Sequence, residues 1–165
     1  MIGTIPWTDL PFTSEQIAES MAVVAAEIRM RYRSNFTLVV VLPESKESGA
    51  LLIECLENDK ALFTVASVGV QRVTKDGKPA MTIIDPPSVH LIKNRKVVVF
   101  DAPGDWQSTY NVCDYIKKMK PSSIEVAAMI SRGPVPKWVN RDYVAFEVVP
   151  REIAEPVVAE EVPVG

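Results

Sequence analysis

The hydrophobic positions of this chain follow two alternating patterns. Ile17, Met21, Val24, Ile28 and Tyr32 recur at steps of three or four, which predicts one apolar stripe of a helix ending near Tyr32. Thr13-Ser14-Glu15-Gln16 reads as its capping box, with Thr13 as N-cap and Gln16 at N3. Arg29, Arg31 and Arg33 fall in or just after the last turn, where cations suit the negative end of the dipole. Next comes FTLVVVL, Phe36 to Leu42, an unbroken β-branched run that predicts a strand buried on both faces. Leu51, Leu52, Cys55 and Leu56 restore helical spacing over Glu47 to Glu57, and Ala61 to Val68 reads as a second strand.

Residues 70–80 are polar and carry a Lys75-Asp76-Gly77-Lys78 turn, with Met81 to Ile84 as the return strand of a hairpin. KVVVF, Lys96 to Phe100, is the second strongly buried strand. Residues 107–119 are helical, with Lys117, Lys118 and Lys120 at the C-terminus and Pro121 as the stop. Ser123 to Ile130 and Tyr143 to Val149 supply two more strands. Strands alternating with helices predict an α/β fold with three layers and a mainly parallel sheet. Residues 1–150 form one domain in this reading. Residues 151–165, PRO-, Glu- and Val-rich without a period, form a loose acidic tail.

Composition narrows the chemistry. The chain has 165 residues, 47% hydrophobic, with a formal net charge of −3, so a broad electrostatic grip on nucleic acid is not expected. No apolar run approaches the roughly 18 residues of a membrane span. Residues 1–10 carry neither a basic nor an apolar leader segment, so a cytoplasmic protein is the expectation. Two cysteines and one histidine make neither a disulfide framework nor a four-ligand zinc site. His90 could serve as an acid or base, but a lone surface or strand-edge histidine is the plainer reading.

In an open α/β sheet, ligands bind beyond the carboxyl ends of the strands. Two loops lie there: Pro43-Glu44-Ser45-Lys46 after FTLVVVL, and residues 101–109 after KVVVF. The second sets Asp101 and Asp105 around a Pro-Gly turn, with Ser108 and Thr109 opening the next helix. A helix N-terminus with hydroxyls beside it is a natural phosphate seat. The same residue types also make any strand-to-helix loop, so from composition alone Asp105 or Ser108 reads first as a plain N-cap. Trp106, in a polar loop, could stack on a base, stabilise a partner contact or equally plug a vacated pocket. No GxxxxGK[ST], GxGxxG or GxSxG motif is present.

KNRKVVVFDAPGDWQSTYNVCDYIKKMKPSSIEVAAMISR, followed by RDYVAFEVVP, resembles the hypoxanthine–guanine type of purine phosphoribosyltransferase, within the type I phosphoribosyltransferase fold. The likeness extends over most of residues 13–153. It implies a transferase (a glycosyltransferase of purine salvage) that joins a purine base to phosphoribosyl pyrophosphate with Mg²⁺ and forms a homo-oligomer. Asp101 takes the first place of the family's ribose-binding acidic pair and would also face the metal, while Ala102 takes the second. Asp105 takes the place of the catalytic base near the purine N7. The amides of Asp105, Trp106, Gln107, Ser108 and Thr109 would hold the 5′-phosphate; Trp106 and Gln107 replace the family's Thr and Gly.

Pro43, Glu44, Ser45 and Lys46 occupy the pyrophosphate loop, whose unusual cis bond would fall at Leu42–Pro43. Glu44 brings a negative charge there, with Lys46 the nearest cation in sequence. Arg132 replaces the purine-facing Lys, Ile153 the stacking aromatic, and Ser67-Val68-Gly69 stands for the flexible catalytic loop. Transfer of this kind passes through an oxocarbenium-like centre, so positioning and charge matter more than a nucleophile. The departures from the motif equally suit a non-enzymatic module, nucleotide-sensing, regulatory or structural, on the same fold.

Overall fold

The structure, a computed structural model, describes residues 12–102, 106–132, 136–139 and 142–148. Helix α1 (Ser14–Arg31) opens on the expected capping box: the Thr13 hydroxyl accepts from the Gln16 amide and the Gln16 side chain accepts from the Thr13 amide. Strand β1 (Phe36–Leu42) leads to α2 (Lys46–Asn58) and β2 (Phe63–Lys75), which turns into β3 (Lys78–Asp85). One 3₁₀ turn (Val89–Leu91) precedes β4 (Lys96–Phe100), α3 (Trp106–Lys117), β5 (Ser123–Arg132) and β6 (Asp142–Val148). The boundary expected at residue 150 and the tail 151–165 lie outside the described residues.

The six strands form one sheet in the order β3-β2-β1-β4-β5-β6; β2 and β3 are antiparallel and the other neighbours parallel. β1 and β4 sit at its centre and are buried on both faces, as their unbroken apolar runs require. Leu38, Val40, Val98 and Phe100 face α1 and α2, whereas Val39, Val41, Val97 and Val99 face α3. Helices on both faces make the three layers. Gly49 lets α2 approach β1 closely, since a Cβ there would meet Val40 Cγ1 at 2.8 Å.

One boundary departs from expectation. β2 runs on to Lys75, through residues expected to be loop. Beyond Gly69 it no longer pairs with β1 and continues as a two-stranded ribbon with β3. A ribbon exposed at the sheet edge buries few side chains, so its strands need no apolar run. Ser67, Val68 and Gly69 therefore lie inside β2, paired to Val40, Val41 and Leu42, and do not form a loop.

At the opposite end of the sheet from the crevice, Glu125 is 6% exposed. It accepts from Arg31 Nε and Nη2 at 3.2 Å each and from Tyr143 Oη at 2.7 Å. These contacts tie the end of α1 to β5 and β6 and satisfy the buried carboxylate.

Candidate functional site

The sheet's strand order reverses between β1 and β4: from β1 the chain crosses to β2 on one side, and β4 lies on the other. This is the switch point beyond which open α/β sheets form their ligand crevice. Residues 43–45 lie on one side of it, and Asp101, Ala102 and the start of α3 on the other.

The Leu42–Pro43 bond is cis. Pro43 and Lys46 are exposed, and Ser45 is buried. As N-cap of α2, Ser45 does not cap with its side chain. Its hydroxyl instead accepts from the Ala102 amide at 2.9 Å, which joins the two loops across the switch point. The Ala102 carbonyl accepts from the Ile130 amide at 3.0 Å, so the start of the second loop is held on two sides.

Asp101 is 1% exposed, and its Oδ2 accepts from the Thr109 hydroxyl at 2.7 Å. Thr109 is itself fully buried. The carboxylate placed by resemblance against a ribose is thus engaged inside the protein, across the first turn of α3. Ala102 is 3% exposed and offers no second acid. Among the described residues no three His, Cys, Asp or Glu side chains cluster to hold a metal ion.

Asp105, the expected base, and Ile153 lie outside the described residues, as do the side chains of Gln107 and Arg132. Trp106 begins α3. Its indole Nε1 donates to Ser131 Oγ on β5 at 3.3 Å, and its ring packs edge-on against Trp138 at 6.5 Å. Ser108 is 5% exposed and faces the other way. Its hydroxyl accepts from Arg72 Nη1 at 2.6 Å, on the β2 side of the crevice. Arg72 Nε and Nη2 each donate to one oxygen of Glu44 at 2.9 Å, a bidentate fork. Glu44 thus has its cation, and it is Arg72 rather than Lys46.

Sequence reasoning missed Arg72 because it lies 28 residues from Glu44 and 36 from Ser108. The available signal was the unbalanced charge of Glu44 in a loop expected to welcome anions. Ser131, the partner of the Trp106 indole, had no signal of its own. His90 is exposed on the 3₁₀ turn beside Ser88 Oγ, away from this crevice.

Comparison with solved structures decides the fold. A hypoxanthine phosphoribosyltransferase variant from Trypanosoma cruzi, complexed with the product IMP, superposes with a TM-score of 0.70 at 18% identity over 83% of this chain and 76% of that one. A hypoxanthine-guanine phosphoribosyltransferase from Bacillus anthracis gives 0.69 at 19% identity, over 87% and 84%. A hypoxanthine phosphoribosyltransferase from Staphylococcus aureus gives 0.70 at 15%, over 84% and 76%. The fold is that of the type I phosphoribosyltransferases. No protein-family model and no curated protein matches the sequence. No helix among the described residues is long and apolar enough to cross a membrane.

A separate cavity of about 330 Å³ opens beside α3, lined by Tyr110, Cys113, Lys117, Ile124 and Trp138 among others. It reaches Ser123 and Ile124, the first residues of β5, so it lies toward the other end of the strands from the crevice. Burial pushes the Cys113 thiol up to about 12, with the Asp101 carboxylate adding to the effect and Lys117 opposing it. Cys113 is therefore expected to resist alkylation by iodoacetamide in the native protein up to about pH 9, and to react at ordinary thiol rates only in denaturant. Mass spectrometry of the labelled peptides checks this. Because the folded thiol titrates above the unfolded one, its contribution to stability is complete below the ordinary thiol range and declines as pH rises toward 12.

Proposed function

We propose that the protein binds a purine nucleotide, or phosphoribosyl pyrophosphate, in the crevice over β1 and β4, with the 5′-phosphate at the N-terminus of α3. The observation that carries this reading is the convergence on Ser108 of a guanidinium and the first turn of a helix. The first amides of a helix lack intrahelical acceptors and carry its positive end. A buried hydroxyl between those amides and a cation has the chemistry of an anion seat. The likeness to a phosphoribosyltransferase complexed with IMP supports the choice of a purine nucleotide as the anion's carrier.

Of the two functions compatible with such a site, a nucleotide-sensing module is favoured over a transferase. Asp101 Oδ2 accepts from Thr109 within the core, and Ala102 supplies no partner acid, so the acidic pair that the resemblance implies is reduced to one carboxylate. Any Mg²⁺ would arrive on the phosphates of the ligand. If transfer occurs at all, Asp105 would take the purine's N7 proton, with Arg132 against the exocyclic oxygen. Self-association, implied by the same likeness, is read from sedimentation velocity of the free chain.

Calorimetric titration with guanosine monophosphate and with phosphoribosyl pyrophosphate, with and without Mg²⁺, tests the reading. The expected result is binding at or below millimolar concentration, with turnover of hypoxanthine or guanine well below about 1 per second. Turnover at ordinary enzyme rates would replace the module with a transferase. Absence of binding by either ligand at millimolar concentration would overturn the proposal.

A further inference from the structure

We propose that Arg72 is the side chain that grips the ligand's phosphate or pyrophosphate, and that Glu44 is a built-in competitor that occupies it in the free protein. The inference rests on the crevice being an anion site, and adds how that site is regulated. Its starting point is an electrostatic conflict. Arg72 Nη1 donates to Ser108 Oγ at 2.6 Å, within the first turn of α3. A guanidinium and the positive end of a helix repel each other. Glu44 offsets both charges by placing its two oxygens 2.9 Å from Nε and Nη2.

The position thus demands an anion, and in the free protein a carboxylate of the chain supplies it. A phosphate presents the same paired oxygens to the same fork, so the two compete directly for Arg72. Of the pair Arg72 is the more open to an incoming ligand: its side chain is 23% exposed and that of Glu44 9%. Each partner comes from a different element. Glu44 lies in the β1–α2 loop, Arg72 on the ribbon part of β2, and Ser108 on α3. Transfer of Arg72 from Glu44 to a ligand would therefore free the loop from the ribbon, which gives a sensing module a movement to report.

The test titrates inorganic pyrophosphate and guanosine monophosphate into the wild-type protein, Glu44→Gln, Arg72→Gln and the double variant. Glu44→Gln keeps the side chain's shape and removes the competing charge, so pyrophosphate should bind at least about ten-fold tighter than to wild type. Arg72→Gln should bind about ten-fold more weakly. The double variant should match Arg72→Gln, because Glu44 acts through Arg72. In the wild-type protein, the ¹⁵Nε–¹H resonance of Arg72 should shift on adding pyrophosphate, a readout that needs no variant to fold. Binding by Glu44→Gln alone would support the competitor and overturn a ligand-binding role for the wild-type crevice. Binding by wild type with unchanged affinity in Glu44→Gln would overturn the competitor and leave the proposed function standing. Binding by neither would overturn both.

Discussion

Phe100→Ala is expected to lower the free energy of unfolding by about 3–5 kcal/mol. Phe100 closes β4, is fully buried, and belongs to the core under α1 and α2. It pairs with Val40 on β1 and Ala127 on β5, and its ring lies beneath α2 near Gly49. Two central strands and a helix would thus border the void. Neither β1 nor β5 can close it without breaking register with β4. A domain of this size has roughly 5–15 kcal/mol in total, so the loss is a large share of its stability. Urea unfolding followed by circular dichroism measures it. A change below about 1 kcal/mol would mean that this part of the core is loosely packed.

Thr109→Val is the second large effect, about 2–3 kcal/mol. Valine keeps the shape of threonine and removes the hydroxyl that donates to Asp101 Oδ2 at 2.7 Å. Both residues are almost fully buried, so water does not readily replace the lost donor. A hydrogen bond to a carboxylate is also among the stronger ones. Thr109→Ser keeps the hydroxyl and loses one methyl, and should cost only about 1 kcal/mol. The difference between the two variants in urea isolates the hydrogen bond. Equal losses would mean that the methyl, and not the hydroxyl, stabilises the first turn of α3.

What the sequence revealed of the fold depended on how far each element's stability is local. Thr13 and Gln16 cap α1 within one turn, so their signal sits in four consecutive residues. β1 and β4 are buried on both faces, and their apolar runs have no other use. The ribbon of β2 and β3 has no such need. Val70 is buried, whereas Gln71 and Thr74 on the same strand are exposed, and hydrogen bonding to its neighbour strand holds it. Its turn at Asp76-Gly77, where both residues have positive φ, and its return strand at Met81 to Ile84 were legible, whereas the extension of β2 through residues 70–75 was not.

The site was legible in its positions and not in its contacts. Strand order alone places the two loops at the switch point. Asp101 reads in sequence as a ligand-facing acid, and only the fold shows it turned to Thr109. Lys46 is the cation nearest Glu44 along the chain, yet the ribbon carries Arg72 into that role. Long-range charge pairs leave no periodic trace. They become visible only when the topology sets which strands pass the same crevice.

The most direct test of a phosphate seat at α3 is a backbone amide NMR titration comparing guanosine monophosphate with guanosine. The two ligands differ only in the 5′-phosphate. The monophosphate is expected to shift the amides of Trp106, Gln107, Ser108 and Thr109, and guanosine at the same concentration to leave them in place. Equal shifts from both ligands, or shifts confined to Tyr110, Lys117 and Trp138 around the separate cavity, would contradict it.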